Sequence, residues 1–209
     1  MTNHQLQIQH FVFGPFYTNT FVLSDEQHIL LIDPACSNQY EQHQLYTYIS
    51  NLKSKISNLQ LSIVATHGHL DHLWGAKWAT EQWNTPVLMH EADIPLAQAM
   101  QAQYDLFGIP GQPESFEIKP ITNDQLPMTN MSILSTPGHT PGSICLYFPN
   151  EKVLISGDTL FQMGYGRTDL PGGNIHQLIA SLDHLFTLPA DVRVYPGHGE
   201  FTTIGAERR

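Results

Sequence analysis

The sequence has few cysteines and no long apolar segment. Cys36 and Cys145 are the only cysteines among 209 residues, too few for a disulfide framework, so we expect a reducing compartment. No run approaches the roughly 20 apolar residues that span a bilayer. Residues 1–5 lack the basic and then apolar regions of a secretory signal. These absences predict a cytoplasmic protein without a membrane partner.

Cations are also scarce. The chain has 9 Lys and Arg against 19 Asp and Glu, a formal net charge of −10, and its one basic cluster is Arg208 with Arg209. Because phosphate backbones bind through clustered cations, we expect no nucleic-acid partner. The 41% hydrophobic and 13% charged content is typical of a packed globular chain. We expect residues 1–209 to form a single domain that acts on a small molecule, and the oligomeric state is left open.

Short apolar segments alternate with amphipathic ones, which predicts a layered α/β architecture. The predicted helices lie at 39–56, at 73–83, at 94–100 and after Asn174, which we expect to cap its helix. Residues 101–127 are rich in proline and predict a long surface loop. The predicted strands lie at 20–23, 28–32, 61–65, 86–89, 131–135, 144–148, 153–155 and 192–195.

The strongest motif is the segment 66–72, THGHLDH, directly after the predicted strand that ends at Ala65. In extended backbone, side chains two residues apart point the same way, so His67 and His69 can bind one metal ion. Asp71 and His72 follow where a helix is about to begin, and a tight turn there would present them to a second ion. The motif therefore predicts a metal centre.

Four further polar residues share one placement, at the end of a predicted strand. His139 and His198 each close a Pro-Gly-His sequence after a strand, and Asp158 and Asp33 follow two other strands. Ligands in α/β proteins bind at strand ends, because the loops there are free of ladder pairing. We therefore expect these residues to converge on the His-rich motif.

The ligand types are imidazole and carboxylate without thiolate, which suits zinc, iron or manganese. We expect two divalent ions, and zinc is the first choice of metal. Each ion would keep an open coordination position for a shared hydroxide that attacks the substrate. Asp71 would orient this nucleophile, and Asp33 would orient a histidine by a hydrogen bond. The seven candidate ligands divide into His67, His69 and His139 for one ion, Asp71, His72 and His198 for the other, and Asp158 as the bridge.

These residues resemble the metallo-β-lactamase superfamily, and within it the glyoxalase II-like hydrolases (hydroxyacylglutathione hydrolases), especially short bacterial members. The resemblance also runs through the segments 157–161, 166–173 and 202–205. It implies an αββα sandwich, two metal ions and hydrolysis of a thioester such as S-lactoylglutathione. Residues 1–209 then correspond to the metallo-β-lactamase-type domain alone.

The sequence departs from full-length glyoxalase II in two places. Only 11 residues follow His198, so we expect no C-terminal helical domain for binding glutathione. Arg167 matches a basic residue that contacts a glutathione carboxylate in that family, and we predict that it binds substrate. Thr168 and Asp169 stand where that family has aromatic residues, which leaves the thiol carrier open.

Thioesters are favoured over amides because a thiol with a pKa near ~8.5 departs without being protonated, whereas an amide needs a general acid that the motifs lack. The nearest alternative is a mononuclear iron persulfide dioxygenase, which looks similar through the same motifs and binds its iron through two histidines and one aspartate. The N-terminus and the glyoxalase-like loops disfavour a β-lactamase. A non-catalytic metal module is disfavoured because structural sites use four closed ligands.

Overall fold

The computed structural model describes residues 6–56, 58–121, 128 and 130–208. Its strands form two main sheets, in the orders β1-β2-β3-β4-β5-β6 and β13-β12-β9-β8-β7, with β10 and β11 as a small separate pair. The strands of the first sheet are β1 (Gln7–Phe13), β2 (Thr18–Ser24), β3 (His28–Ile32), β4 (Gln60–Val64), β5 (Val87–Met89) and β6 (Ile118–Pro120). The strands of the second sheet are β7 (Ser132–Ser135), β8 (Ile144–Phe148), β9 (Val153–Gly157), β12 (Arg193–Pro196) and β13 (Thr202–Thr203), and the small pair is β10 (Leu160–Phe161) with β11 (Gly164–Tyr165).

Helices cover the outer faces of both sheets. They are α1 (Gln39–Lys55), α2 (Ala76–Trp83), α3 (Ile94–Gln98), α4 (Met100–Phe107), α5 (Ile175–Leu185) and α6 (Ile204–Glu207). Asn174 caps α5, since its side-chain oxygen accepts from the backbone N–H groups of His176 and Gln177. Within the described part of the chain, no helix is both long and apolar enough to cross a bilayer.

Alternation along the strands separates three apolar layers. On β3, Leu30 and Ile32 pack between the sheets, whereas Ile29 and Leu31 pack against the cluster that contains α1 and α2 residues. On the other sheet, Leu154 of β9 faces the layer under α5. Both faces of each sheet are therefore buried, and the order helix, sheet, sheet, helix confirms the predicted αββα sandwich.

The structure corrects the prediction for residues 101–127. Within this region it places helix α4 and strand β6, where a surface loop was expected; residues 122–127 lie outside the described residues. Pro110 and Pro113 follow α4 and do not interrupt it, so prolines after a helix end were mistaken for an irregular region. Helix α2 also begins later than expected, at Ala76, which leaves residues 65–75 as a loop.

The strand directions bring the candidate loops together. β3 and β4 are parallel in the first sheet, and β9 and β12 are parallel in the second. β7 and β9 both run antiparallel to β8, so they run parallel to each other. The carboxyl ends of these strands therefore share an edge in each sheet, and the loops that follow them form one site.

Candidate metal centre

The loop between β4 and α2 carries four of the predicted side chains. His67, His69 and His72 are buried and Asp71 is half-buried. One carboxylate and one amide side chain hold the backbone of this loop. The Gly68 N–H donates to Asp93 Oδ2 at 2.7 Å, and the Leu70 N–H donates to Gln103 Oε1 at 2.9 Å. The loop is thus held in place by residues outside it.

The remaining candidates converge on this loop. His69 Nδ1 lies 2.9 Å from His139 Nε2, and His72 Nε2 lies 3.3 Å from His198 Nε2. Asp71 Oδ2 lies 3.1 Å from His198 Nε2. Two of the donor sets whose atoms lie within 4.8 Å of one another are the two predicted ones: His67, His69 and His139, and Asp71, His72 and His198.

Asp158 faces both sets. Its Oδ1 lies 3.3 Å from His72 Nε2, and its Oδ2 lies 3.5 Å from His139 Nε2 and 3.6 Å from His198 Nε2. Four ligands around one small ion at Zn–N distances of about 2.05 Å lie about 3.3 Å apart. The separations observed here match that spacing, and one carboxylate is positioned to join the two sets.

Two buried atoms at this centre have no hydrogen-bond partner among the described residues: His67 Nε2 and Asp158 Oδ1. A buried polar atom without a partner costs about 1–3 kcal/mol, so these two atoms, whose residues belong to one donor set, indicate a site that would bind a ligand. The donor types, their spacing and these unpartnered atoms all fit divalent cations held by imidazole and carboxylate groups.

For three of the histidines, the ring nitrogen that faces away from the centre has a partner. His72 Nδ1 lies 2.9 Å from Asp33 Oδ2, His139 Nδ1 lies 2.7 Å from the Arg167 carbonyl oxygen, and His198 Nδ1 lies 3.1 Å from the Phe16 carbonyl oxygen. A carbonyl or carboxylate in that position fixes the tautomer and turns the other ring nitrogen toward a metal.

Asp33 lies where the prediction for it requires. Besides His72, its carboxylate accepts from the backbone N–H and the hydroxyl of Thr66, at 2.7 and 2.8 Å. It is buried and has φ of +51°, a left-handed conformation that non-glycine residues rarely adopt. One side chain thereby links the strand end at Thr66 to the His72 ring.

The electrostatics of the centre divide the candidate ligands into two groups. Although burial opposes it, the Asp71 and Asp158 carboxylates raise the pKa of His72 and His198, so these two imidazoles must lose a proton to bind a metal ion. Burial lowers the pKa of His67, and burial together with His139 lowers that of His69 to about 3. Burial opposes ionisation of Asp71 and Asp158, but His72 and the other imidazoles lower the pKa of both carboxyls. Neutral imidazoles and ionised carboxylates are the forms that bind metal. At neutral pH these four side chains therefore need no proton removed.

A cavity of about 380 Å³ opens above the centre. Asp71, His139, Asp158 and His198 reach it from below, and its upper walls include Phe16, Phe107, Phe161, Tyr165 and Arg167. Arg167 is exposed, and its guanidinium donates to both carboxylate oxygens of Asp169, at 2.7 and 2.5 Å. The predicted substrate-binding residue thus lies at the cavity with its charge already paired.

Three residues at the site were not predicted from the sequence. Asp93 and Gln103 hold the His-rich loop, and Thr18 donates its hydroxyl to Asp71 Oδ2 at 3.0 Å. Gln103 lies on helix α4, in the region predicted as a loop. Nothing in their local sequence marks these residues, because their partners are 25 to 53 residues away.

Asp93→Ala is expected to destabilise the protein by about 3–5 kcal/mol. Asp93 is fully buried and accepts from the Gly68 N–H, the Gly142 N–H and the Thr140 hydroxyl, and unpartnered buried donors cost about 1–3 kcal/mol each. Urea unfolding measures the change. Asp105→Ala, an exposed control whose carboxylate accepts only from Gln101 among the described side chains, should stay within about 0.5 kcal/mol. Equal effects of the two variants would contradict this role.

The chain belongs to the metallo-β-lactamase superfamily, whose family model matches residues 13–198. A probable metallo-hydrolase of Bacillus subtilis (strain 168), YqgX, is 35% identical over 93% of this chain and 91% of its own length. The hydroxyacylglutathione hydrolase GloC of Haemophilus influenzae (strain ATCC 51907 / DSM 11121 / KW20 / Rd) is 34% identical over 91% of this chain and 89% of its own length. The predicted resemblance is confirmed, and the chain is a member of a family of metallo-hydrolases.

Solved structures agree with the fold. BLEG-1, a B3 metallo-β-lactamase, superposes with a TM-score of 0.81 at 32% identity and covers 96% of both chains. TTHA1623, solved in a di-iron-bound form, gives a TM-score of 0.81 at 31% identity and covers 96% of this chain and 97% of its own.

Proposed function

We propose that this protein is a thioesterase of the glyoxalase II type, which hydrolyses S-lactoylglutathione or a related acyl thioester. The reaction would use two divalent cations, for which zinc is our first choice. One observation carries the proposal: the carboxylate of Asp158 faces both sets of imidazole and carboxylate donors at the floor of an open cavity. The likeness to a hydroxyacylglutathione hydrolase supports the substrate class, and the likeness to a di-iron-bound protein supports two ions.

The candidate ligands have distinct proposed roles. When bound, two cations would supply Lewis acidity and lower the pKa of a coordinated water toward neutrality. Asp158 would hold both cations. Asp71 would orient the attacking water through its carboxylate, which is ionised and fixed by the Thr18 hydroxyl at 3.0 Å and by His198 at 3.1 Å. Asp33 would fix the orientation of the His72 ring through its contact with Nδ1.

The residues around the cavity favour a leaving group that needs no proton. Outside the candidate ligands, the titratable side chains that line it among the described residues are Tyr165 and Arg167. A phenol and a guanidinium are weak acids, which makes both poor general acids at neutral pH. A thiolate departs without protonation, whereas an amine requires it. Thioester hydrolysis is therefore the reaction that this cavity supports best.

The test is elemental analysis of the purified protein together with an S-lactoylglutathione hydrolysis assay. We expect two divalent ions per chain and a rate that is lost on chelation and restored by metal. Turnover that continues at full rate after complete metal removal would overturn the proposal.

A mononuclear iron persulfide dioxygenase is the second candidate. The donors include a set of two histidines and one carboxylate, His67, His72 and Asp158, which is the ligand type of that enzyme. One iron per chain, with oxygen uptake on glutathione persulfide and no thioester hydrolysis, would favour this candidate.

Asp169→Asn is expected to lower the KM for a glutathione thioester by about three- to tenfold. Arg167 pairs with Asp169, whose pKa this hydrogen bond lowers to about 2, and removal of the carboxylate would free the guanidinium for a carboxylate of glutathione. Steady-state kinetics with glutathione and neutral N-acetylcysteamine thioesters measure the change. Asp191→Asn, which breaks an exposed pair with Lys152, serves as the control. An equal KM change for both thioesters would show that Arg167 does not bind the thiol carrier.

A further inference from the structure

A second cavity, of about 120 Å³, lies beside His69, one of the candidate metal ligands. It shares His69, Phe107 and Leu170 with the larger cavity, so the two are neighbours across these side chains. Helix α4 and the residue before it supply Ala99, Ala102 and Leu106 to its wall. We refer to this space as the side cavity.

The lining of the side cavity is apolar. Besides His69, Gln103 is the one polar residue among its lining residues. The Gln103 amide is fully used, because its oxygen accepts from the Leu70 N–H and its nitrogen donates to the carbonyl oxygens of Gly68 and Leu96. No charged side chain of the described residues lines this space. It therefore fits a hydrocarbon group and offers little to a polar one.

We propose that the side cavity binds the acyl chain of the thioester, and that the substrate carries an unbranched apolar chain of about four or five carbons. This inference rests on the proposed thioesterase function and, within it, favours an apolar acyl chain over the lactoyl group. The side cavity is open at the surface, since Leu106 and Phe107 of its wall are 57% and 38% exposed. Its volume of about 120 Å³ is slightly smaller than the roughly 150 Å³ of an enclosed cavity that admits benzene. With the chain in the side cavity, the carbonyl group would lie beside His69 and the other candidate ligands, and the thiol half would extend along Phe161 and Tyr165 of the larger cavity.

The geometry also separates the roles of two regions that both contact substrate. The side cavity selects the acyl chain by buried apolar area. The larger cavity, which contains the paired Arg167, contacts the thiol half. Acyl preference and thiol preference should then respond to different substitutions.

The first test is a series of N-acetylcysteamine thioesters with acetyl to octanoyl chains. Each buried methylene should raise kcat/KM about fourfold, as expected for burial of one CH₂ group, up to pentanoyl. The increase should stop by octanoyl, which exceeds the cavity. A kcat/KM that is flat from acetyl to pentanoyl overturns the inference, although thioester hydrolysis itself would stand. If no thioester in the series or of glutathione is hydrolysed, the proposed function fails and this inference with it.

The second test fills the side cavity from exposed positions. In Ala102→Phe, the new ring should occupy the cavity, and the pentanoyl-to-acetyl ratio of kcat/KM should fall from about sixtyfold to near one. Ala99→Phe approaches the cavity from another backbone position and should act in the same direction. Ala180→Phe, an exposed substitution on α5 away from both cavities, should keep the wild-type ratio. Variants that change the preference between thiols but leave the acyl ratio intact would overturn the assignment.

Discussion

Asp158→Ala is expected to lower kcat/KM for thioester hydrolysis by at least about a thousandfold and to remove one or both bound metal ions. This carboxylate faces both donor sets, and metal ions supply several kcal/mol of charge stabilisation in the transition state. Elemental analysis and steady-state kinetics on the same preparation measure the two effects together.

The control for this substitution is Asp183→Ala, which removes an exposed carboxylate from helix α5. It should retain wild-type metal content and rate. If Asp158→Ala retained full metal content and full thioesterase activity, the scheme of two ions joined by one carboxylate would be wrong.

Gly197→Ala should abolish the centre without removing any ligand. A Cβ at this position would lie 2.2 Å from Asp158 Oδ1 and 2.7 Å from His72 Cε1. The backbone cannot withdraw easily, since the Gly197 N–H donates to the Gly157 carbonyl at 2.8 Å and the Asn19 N–H donates to the Gly197 carbonyl at 2.7 Å. We expect loss of metal, a fall in kcat/KM of about a hundredfold or more, and destabilisation by about 1–3 kcal/mol.

A matched glycine substitution tests whether this effect is local. Gly164→Ala places its Cβ in open space, with no atom within 4 Å, and should leave metal content and activity unchanged. Circular dichroism and urea unfolding separate loss of metal from loss of the fold. Normal metal content in Gly197→Ala would show that the centre tolerates a displacement that the structure excludes.

Most of the fold was predictable from patterns of apolar residues. The hairpin of β2 and β3, helix α1 and the strands β4, β8 and β9 lie close to the predicted segments. These elements were visible because each places apolar side chains on buried faces at the period of its own secondary structure. Helix α4 was missed, since the prolines after it concealed its short pattern.

The candidate ligands were predictable for a chemical reason. One imidazole or carboxylate at a strand end does not identify a ligand by itself, but several with the same placement do, and the His-rich motif indicated their common location. The residues that position them were not. Asp93, Gln103 and Thr18 are ordinary polar residues until folding places each beside a backbone or side-chain group far away in sequence.

For Arg167, the sequence predicted the position of the residue but not the state of its charge. The family resemblance predicted a substrate-binding arginine in a loop near the candidate metal centre, and the structure places Arg167 at the cavity. Whether its charge is free depends on the conformation of the loop, which directs Asp169 back onto the guanidinium. Spacing along the chain does not determine that conformation.

The sequence by itself determined the layered α/β class, the identity of the donor groups and their grouping at strand ends, because hydrophobic periodicity and ligand chemistry are local properties of the chain. Only the tertiary structure decided the distances from Asp158 to the two donor sets, which groups hold the loops, and that a small apolar cavity lies beside His69. Those features depend on distances between residues far apart in sequence, and packing of the two sheets sets these distances.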